Sequence, residues 1–377
     1  MPIRVAIIGV GNCAKSLVEG VLKYPERFNM NGLAFAEIGG YKVSDVEFVL
    51  AYDIDVRKVG KQLYEAIYQL PNSAMDIIDQ HEGGDLDIDY AHAKCVVKMG
   101  AVLDGVAPHM HAMDTADQTR FYVSKQDEEP ILDSVVEELL EAKVDVALIY
   151  LPVGSASAVR FYVEACLKAK VAFVNCIPEF IVSDPYWQEQ ITRAGIPAIG
   201  DDMRSQVGAS ILSQCLHEMF LQRGAAIKFH CQTNQGGNTD FHNMCDQSRL
   251  KSKKISKENV ISSQNDLKGV HTAKNSIYAG PSDYIPYLED NKVAHIRIEA
   301  EGFGGAPITL DCRLSVQDSP NSAGVVIDAI RYLMVAKKMG VVGPLYGPSA
   351  ATQKTPPKQM TMADAYAECQ RYATYTG

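Results

Sequence analysis

The chain of 377 residues has little of several features that mark particular protein classes, including tryptophan, which occurs once. Its nine cysteines are scattered and contain no CxxC pair, so the sequence predicts neither a structural zinc site nor a redox motif. No apolar run approaches the roughly 18 to 20 residues that span a bilayer, and the N-terminus lacks the parts of a secretory signal peptide. We therefore expect a cytoplasmic protein with reduced thiols and no membrane-spanning segment.

An excess of positive charge is also lacking, because 46 acidic residues against 36 lysines and arginines give a formal net charge of -10. A general nucleic-acid binder would carry a broad basic surface, so we expect no nucleic-acid partner. One stretch departs from this balance. The segment "LKSKKISK" (250–257) contains Lys251, Lys253, Lys254 and Lys257. A solvated basic helix and a site for a small anion both remain open for it.

Apolar runs that alternate with helical patterns occupy the first 200 residues. The runs lie at 4–9, 46–55, 144–154, 171–178 and 195–202. This alternation predicts an α/β fold, a Rossmann-type doubly wound parallel sheet with helices on both faces. The stretch "AAIKFHCQTN" also reads as a strand. The stretches "KVAHIRIEAEGF" and "APITLDCRLSVQDS" instead alternate with period two, which is typical of antiparallel strands with one exposed face. We predict an inserted α+β domain over 206–318, with residues 1–205 and 319–377 forming the first domain.

A glycine loop follows the first predicted strand, where Gly9-Val10-Gly11-Asn12-Cys13-Ala14 reads GxGxxA and opens a helix. In that context the loop is typical of dinucleotide binding, with the pyrophosphate at the helix N-terminus. Asp53 ends the second strand, where a carboxylate can bind both ribose hydroxyls and repel a 2′-phosphate, which favours NAD. The alternative is a plain strand–helix turn with a surface aspartate. An insertion around 26–45 accounts for the long spacing between loop and aspartate.

Polar residues elsewhere fall where they would meet a bound dinucleotide, because active residues gather beyond the carboxyl ends of parallel strands. Pro152, Asn175 and Asp202 lie at such ends. The cofactor-binding residues predicted from the loop and the strand ends are Gly9, Val10, Gly11, Asn12, Cys13, Asp53, Pro152, Asn175 and Asp202.

The segment 234–257 carries amides and a carboxylate (Asn234, Asn238 and Asp240) ahead of the lysines. Lys253 and Lys257 are four apart and would share one face of a helix. Like charges at that spacing destabilise a bare helix, whereas a bound oxyanion would reverse the effect. Clustered ammonium groups also depress one another's pKa, which would help a lysine donate a proton near pH 7. We expect Lys251 and Lys254 to be solvated.

This segment, with "GGNTD" followed by "SKKISK", resembles the most distinctive block of the inositol-1-phosphate synthase family. Further blocks agree in order along the chain, from Val5 to about Pro357: "GVGNCAKSLVEG", "YDIDVRKVG", "LDGV", "LPVGS", "FVNCIP", "GDDMRSQVGA", "DNKVA", "DSPNSAGVVID" and "KTPP". The length and the compact glycine loop resemble the shorter bacterial and archaeal members. Lys254 departs from the pattern, because many members have glutamate there.

The resemblance implies conversion of glucose 6-phosphate to 1L-myo-inositol 1-phosphate with NAD. C5 is oxidised, C6 loses a proton, the enolate closes the ring on C1, and the hydride returns to C5. It further implies a homotetramer built through an open sheet in the inserted domain. Members of the family differ in using a divalent or a monovalent cation, so a cation cofactor stays open. The HxH pair His109 and His111 is more typical of a polar loop than of a metal site.

The resemblance also implies site roles. The catalytic residues would be Lys253, Lys257, Lys292, Lys354, Asp240 and Asp318. The substrate would be bound by Asn234, Asn238 and the same four lysines. We assign Lys253 to the C5 or C1 oxygen, and Lys257 and Lys354 chiefly to the phosphate and the C1 oxygen. Asp290 would orient Lys292. Asp202, Ser205, Asp240 and Asp318 would line the nicotinamide, and Gly154, Pro178 and Ser319 complete the cofactor-binding set that the resemblance implies.

Simpler interpretations remain for some of these residues and for the activity. Asp202 could cap a helix beginning near Ser205, and Asp318 could cap one beginning near Ser322. The alternative activities are an NAD-dependent sugar-phosphate dehydrogenase and a non-catalytic relative that binds NAD or a sugar phosphate. A dehydrogenase would release net NADH, whereas the synthase reaction is redox-neutral.

Overall fold

The computed structural model describes residues 2–27, 31–78, 89–111, 120–125 and 127–376. Its strands are β1 (Ile3–Ile8), β2 (Val46–Asp53), β3 (Val97–Met99), β4 (Val146–Ile149), β5 (Ala172–Asn175), β6 (Pro197–Ile199), β7 (Ala226–Gly236), β8 (Ile277–Tyr284), β9 (Asn291–Glu301), β10 (Pro307–Gln317) and β11 (Gly343–Pro344). Its α-helices are α1 (Asn12–Arg27), α2 (Leu63–Ala66), α3 (Pro108–His111), α4 (Leu132–Glu141), α5 (Ala156–Ala169), α6 (Pro185–Ala194), α7 (Ala209–Gln222), α8 (Thr239–Asn243), α9 (Lys251–Leu267), α10 (Pro320–Lys338), α11 (Tyr346–Thr352) and α12 (Met362–Ala373).

Seven strands form a parallel sheet in the order β11-β6-β5-β4-β1-β2-β3. Alternate residues of β1 enter different cores, with Ile7 among the side chains of α1 and α10 and Ile8 among those of α4, α5 and α6. Both faces of the sheet are therefore covered, which is why its strands read as continuous apolar runs. The predicted doubly wound parallel sheet is confirmed.

A second, mixed sheet has the order β10-β9-β7-β8, in which only β7 and β8 run parallel. One face packs on α7, where Phe220 meets Ile296 and Ile298. The other face bears Arg297, which pairs with Asp311 of the neighbouring strand. This polar, exposed face explains the period-two pattern in the sequence.

Three strands were not predicted: β3, β8 and β11. The shortest, β11, has two residues, which is too few for any periodicity to register, and β8 contains a Gly-Pro pair that is unfavourable in strand interiors. The division into 1–205 plus 319–377 and 206–318 stays a prediction. Among the described residues, no helix combines the length and apolar character of a membrane span.

The predicted insertion around 26–45 is described from residue 31, and residues 28–30 lie outside the described part. Its second half is held against α10. The buried guanidinium of Arg331 donates to the carbonyl oxygens of Phe35 and Ala36 at 3.0 and 2.9 Å. Asp328, one turn earlier, accepts from the backbone N–H of Ala34 at 2.9 Å. The insertion thus packs beside the first core.

Candidate active site

One large cavity lies beyond the carboxyl ends of the parallel sheet, between that sheet and the mixed sheet. The glycine loop, the ends of β4, β5 and β6, and the starts of α7 and α8 surround it, together with α9 and the tail after α11. The topology therefore brings into one wall segments that lie more than 300 residues apart, as with Cys13 and Ser319. The predicted residues that line it are Gly11, Asn12, Cys13, Pro152, Pro178, Asp202, Ser205, Asn234, Asn238, Asp240, Lys253, Lys257, Lys292, Asp318, Ser319 and Lys354.

Three of the cavity lysines are each paired with one carboxylate. Lys253 Nζ lies 3.2 Å from Asp240 Oδ2, and Lys354 Nζ lies 2.7 Å from Asp202 Oδ1. Lys292 Nζ donates to Asp318 Oδ1. All three ammonium groups are largely withdrawn from solvent, so these pairs are held in place rather than exchanging with water.

Lys257 is different, because within the described ranges it has no carboxylate or other hydrogen-bond acceptor, although it is only 7% exposed. It faces the same cavity. Burial, followed by the like charges of Lys253, Lys292 and Lys354, holds the pKa of Lys257 well below its ordinary value. The depressed pKa expected for clustered lysines is therefore found here. An anion in the cavity would supply the missing partner.

Lys253 shows the opposite behaviour, which corrects the expectation that clustering would depress its pKa. Burial alone lowers the pKa of Lys253, but the nearby carboxylates of Asp240 and Asp202 raise it above its ordinary value. A carboxylate at 3.2 Å outweighs the more distant ammonium groups. Lys253 therefore keeps its proton more tightly than an ordinary lysine, whereas Lys257 holds its proton less tightly.

Asp202 occupies an unusual backbone position at the end of β6, with φ of +64°. Its carbonyl accepts from Lys354 N–H at 2.8 Å and its N–H donates to Ile177 O at 3.1 Å, which holds this strained conformation. Its carboxylate accepts from Ser256 Oγ of α9 at 2.6 Å and from Lys354. The neighbouring helix α7 begins at Ala209. Asp202 is therefore a partner of Lys354 and not a helix cap.

Asp318 likewise does not cap α10, because it pairs with Lys292. Burial raises its pKa, but the ammonium groups of Lys292 and Lys253 bring the pKa of Asp318 below its ordinary value. Asp290 was predicted to orient Lys292, and that prediction is wrong. Its buried carboxylate instead accepts from Asn238 Nδ2 at 3.0 Å and from Ser319 N–H and Oγ at 2.9 and 2.8 Å.

The two predicted substrate amides have partners within the protein. Asn238 is the N-cap of α8, and its Oδ1 accepts from the N–H groups of Asp240 and Phe241 at 3.1 and 3.3 Å. Asn234 Nδ2 donates to Gly280 O at 2.6 Å. Both side chains line the cavity, so their orientation at its wall is fixed by the fold.

The glycine loop is fixed by its close approach to the backbone at the end of β4 and by side chains that bond Val10. Gly9 has φ of +101°, and a Cβ there would lie 2.6 Å from Tyr150 O, so only glycine fits. Gly11 borders the cavity, and a Cβ there would meet nothing within 4 Å. Asp53 Oδ2 accepts from Val10 N–H at 2.7 Å. The sequence analysis missed Lys58, whose buried ammonium donates to Val10 O at 2.7 Å.

Known proteins match the sequence of this chain along almost its whole length. The inositol-3-phosphate synthase of Mycolicibacterium smegmatis is 42% identical over 376 residues, which cover 98% of this chain and 97% of that one. The chain belongs to the inositol-3-phosphate synthase family. The synthase of Corynebacterium glutamicum is also 42% identical, over 95% of this chain and 94% of that one. A sequence model of the Myo-inositol-1-phosphate synthase family matches residues 208–319.

Solved structures share the fold of this family member. The crystal structure of Ari2 has a TM-score of 0.75 at 29% identity and covers 100% of this chain and 99% of that one. A myo-inositol-1-phosphate synthase-related protein from Thermotoga maritima has a TM-score of 0.79 at 24% identity, over 99% of this chain and 98% of that one. At that identity the second match shows the fold alone.

Five predicted cofactor residues of this family member do not line the cavity directly. Gly9, Val10 and Asp53 lie just behind its loop wall. Asn175 is fully buried, and its Nδ2 donates to Glu179 O at 2.6 Å and to Asp201 Oδ1 at 2.8 Å. Gly154 packs on Arg249, and a Cβ there would lie 2.8 Å from that side chain. Asn175 and Gly154 therefore shape the wall, and the assignment of Asp53 to the ribose hydroxyls stays a prediction.

Outside the cavity, Lys251 and Lys254 are exposed, as expected. His109 Nε2 lies 3.0 Å from His242 O, and the side chain of His111 lies outside the described part. No group of three or more metal-binding side chains occurs among the residues that the structure describes.

Proposed function

We propose that this chain is an inositol-3-phosphate synthase that converts D-glucose 6-phosphate to 1L-myo-inositol 1-phosphate. The observation that carries this proposal is the lysine cluster, in which three cations have carboxylate partners and Lys257 has none within the described residues. Lys257 therefore brings a positive charge to the cavity wall, without a carboxylate of its own in the described part of the chain, when all four lysines are charged. A sugar phosphate would compensate it. The family of the chain supports the same substrate class.

The residues around the glycine loop fit NAD. The loop bends at Gly9 and leaves open space at Gly11, and the 16-residue helix α1 begins at Asn12 beside the cavity. Its N-terminus offers N–H groups and a favourable field for a pyrophosphate. The carboxylate of Asp53, behind the loop, would take the ribose hydroxyls. The chemistry that NAD supplies here is reversible acceptance of a hydride from C5.

The lysines would stabilise negative charge in three intermediates in turn. These are the C5 alkoxide, the enolate at C5–C6, whose charge lies on the same C5 oxygen, and the C1 alkoxide after ring closure. Lys253, kept charged by Asp240, suits an electrostatic role at C5 or C1. Lys292, paired with Asp318, is a second such cation. Because these cations are already in place, no solvent has to reorganise as the charge develops.

Lys257 and Lys354 would bind the phosphate and the C1 oxygen. The depressed pKa of Lys257 suits it to donate a proton to an oxyanion. Lys354 is held by Asp202 and by Met203 O at 2.6 Å, so it presents a fixed charge to the cavity. Asp240, Asp202, Ser205 and Asp318 would line the nicotinamide and relay protons. The phosphate itself would help abstract the C6 proton.

We further propose a homotetramer assembled through the open face of the mixed sheet. On that face the strands present exposed residues such as Arg297 and Asp311, and a second copy would cover them. Whether a divalent or a monovalent cation takes part stays open, so both belong in the assay.

Phosphorus NMR of the purified protein with glucose 6-phosphate and NAD tests the activity. We expect inositol 1-phosphate to form without net NADH, whereas a sugar-phosphate dehydrogenase would accumulate NADH. No conversion with or without divalent ions and ammonium would refute the proposal. Lys253→Ala should abolish turnover while NAD binding, measured by calorimetry, persists. More than a few per cent of residual activity would refute the role of Lys253.

A further inference from the structure

A buried chain of polar side chains runs behind the cavity and ends at Asn234. His217 and His230 are both fully buried, and their Nδ1 atoms lie 3.1 Å apart. His230 Nε2 lies 3.2 Å from Ser213 Oγ, which is 2.8 Å from Gln232 Oε1. Gln232 Nε2 then donates to Asn234 Oδ1 at 3.1 Å. None of these groups apart from the amides touches the cavity.

The chain of contacts joins the elements that carry the candidate active-site residues. Ser213 and His217 lie on α7, while His230, Gln232 and Asn234 alternate along the inner face of β7. At the far end, His217 Nε2 lies 2.8 Å from Asn265, near the C-terminal end of α9, the helix that bears the catalytic lysines. The strand with the substrate amides is thereby tied to the helix with the lysines.

One carbonyl fixes the direction of every hydrogen bond in this chain. Gly280 O can only accept, so Asn234 presents Nδ2 to it and Oδ1 to Gln232. Gln232 must then use Nε2 toward Asn234 and Oε1 toward Ser213, whose hydroxyl therefore donates to Gln232. Because the Ser213 hydroxyl has one proton, it can only accept in its contact with His230. His230 must consequently carry a proton on Nε2 and donate it to Ser213.

The same logic determines the second imidazole. If His230 is neutral, its Nδ1 is a lone pair and accepts from a proton on His217 Nδ1. In the structure the Asn265 amide faces His217 Nε2 with its Oδ1, and its Nδ2 donates to Thr272 Oγ1 at 2.9 Å. In that orientation the histidine pair would hold one more proton and be cationic, so a neutral pair requires the Asn265 amide to be turned over, with its nitrogen donating to His217 Nε2. Burial lowers the pKa of His217, and burial with His217 lowers the pKa of His230 to about 3, which favours the neutral form.

The chain cannot serve as a proton wire to the substrate, since two carboxamides, Gln232 and Asn234, separate Ser213 from the cavity. An amide nitrogen does not exchange protons along such a chain on the timescale of turnover. What the chain can do is hold the Asn234 amide in one orientation. Hydrogen bonds in a buried, fully connected network reinforce one another, so each member helps to fix the orientation of Asn234.

We propose that His217, His230, Ser213 and Gln232 are positioning residues that fix which atoms of Asn234 face the sugar phosphate. The proposal rests on the proposed synthase function for its kinetic consequence, but not for the protonation pattern. The carbonyl of Gly280 fixes which atom donates in each hydrogen bond of the chain, and the neutral histidine pair continues this order to Asn265 of α9.

Ser213→Ala tests the kinetic consequence, with Ser263→Ala as the matched control. Ser263 is another buried helix serine, and its Oγ donates to Val260 O at 3.4 Å and accepts from Gln264 Nε2 at 3.5 Å, both within its own helix. We expect Ser213→Ala to raise KM for glucose 6-phosphate about 3- to 10-fold, the value of one buried hydrogen bond, with NAD affinity unchanged. Ser263→Ala should stay within about twofold of the parent protein. Equal KM values for the two variants would overturn the proposal.

A second pair of variants separates positioning from folding. His230→Gln keeps a donor near the Nε2 position, whereas His230→Leu removes it. We expect the glutamine variant to recover most of the KM that the leucine variant loses, at comparable thermal stability. Equal KM values for both would overturn the positioning role.

Histidine-selective ¹⁵N NMR tests the protonation pattern independently of activity. We expect the proton on Nε2 of His230 and on Nδ1 of His217, assigned by loss of signals in variants of each. A proton on Nδ1 of His230 with none on its Nε2, or an imidazolium at neutral pH, would overturn the proposal. If the parent protein lacks synthase activity, the proposed function is refuted, whereas this measurement still shows which nitrogens of His217 and His230 carry protons.

Discussion

Lys257→Met is the perturbation that best separates the proposed site from an ordinary basic surface. Lys257 is a 7% exposed cation that has no carboxylate partner among the described residues, beside three other ammonium groups. Methionine has a similar length and no charge. Removing the ammonium should therefore stabilise the ligand-free protein and weaken its binding of the sugar phosphate. An exposed, solvated lysine would show neither effect.

The magnitudes follow from the contacts. A charge-assisted hydrogen bond to phosphate is worth about 1.5 to 3 kcal/mol, which corresponds to roughly a 10- to 150-fold loss of affinity. Relief of the buried charge should raise the free energy of unfolding by about 0.5 to 2 kcal/mol. The pKa of Lys257 is lower in the folded than in the unfolded chain, so its destabilising effect fades as pH rises toward 10. The stability gain should accordingly be larger at pH 7 than at pH 10.

Calorimetry with glucose 6-phosphate and chemical denaturation at the two pH values measure both effects. Lys254→Met, an exposed lysine on the same helix, is the matched control and should change neither quantity appreciably. A Lys257→Met protein that binds normally, or one that is less stable than its parent at pH 7, would refute the reasoning.

Three further predictions follow from the described contacts. Lys254→Glu should leave kcat/KM within about twofold of the parent value, because the side chain is exposed; a larger loss would place it in the site. Gly9→Ala should abolish NAD binding in calorimetry, because its Cβ would lie 2.6 Å from Tyr150 O; a normal dissociation constant would contradict this. Burial raises the pKa of Asp201 to about 6, so the parent protein gains stability as pH falls through 6. In chemical denaturation, the free energy of unfolding of the parent protein relative to Asp201→Asn should therefore increase by about 1 kcal/mol between pH 7 and pH 5. A decrease over that range would contradict the raised pKa of Asp201.

Sequence patterns were sufficient where a single segment carries the information. The GxGxxA loop, Asp53 at its strand end, and the one-turn spacing of Lys253 and Lys257 all belong to short stretches whose geometry is local. The exposure of Lys251 and Lys254 followed from the same helical spacing. The parallel sheet followed from alternating apolar runs, because burial on both faces leaves a continuous signal.

The pairing of charges could not be predicted, because it depends on contacts between distant segments. Asp290 was expected to orient Lys292 two residues later, but it lies just before β9, and its carboxylate bonds Asn238 and Ser319 from other segments instead. The sign of the pKa shift at Lys253 depends on one carboxylate 3.2 Å away. No sequence pattern signalled the facing histidines, which lie on α7 and β7 and meet only after the sheet is packed.

The cavity is assembled from parts of the chain that lie very far apart. Asp202 meets Lys354 across 152 residues, and Cys13 approaches Ser319 across 306. Contacts that close such long loops form late, because the chain loses much conformational entropy before they are made. During refolding, helical content should therefore return before catalytic activity does. Recovered activity is thus a measure of completed folding, and a fragment that ends before Lys354 would lack one wall of the site.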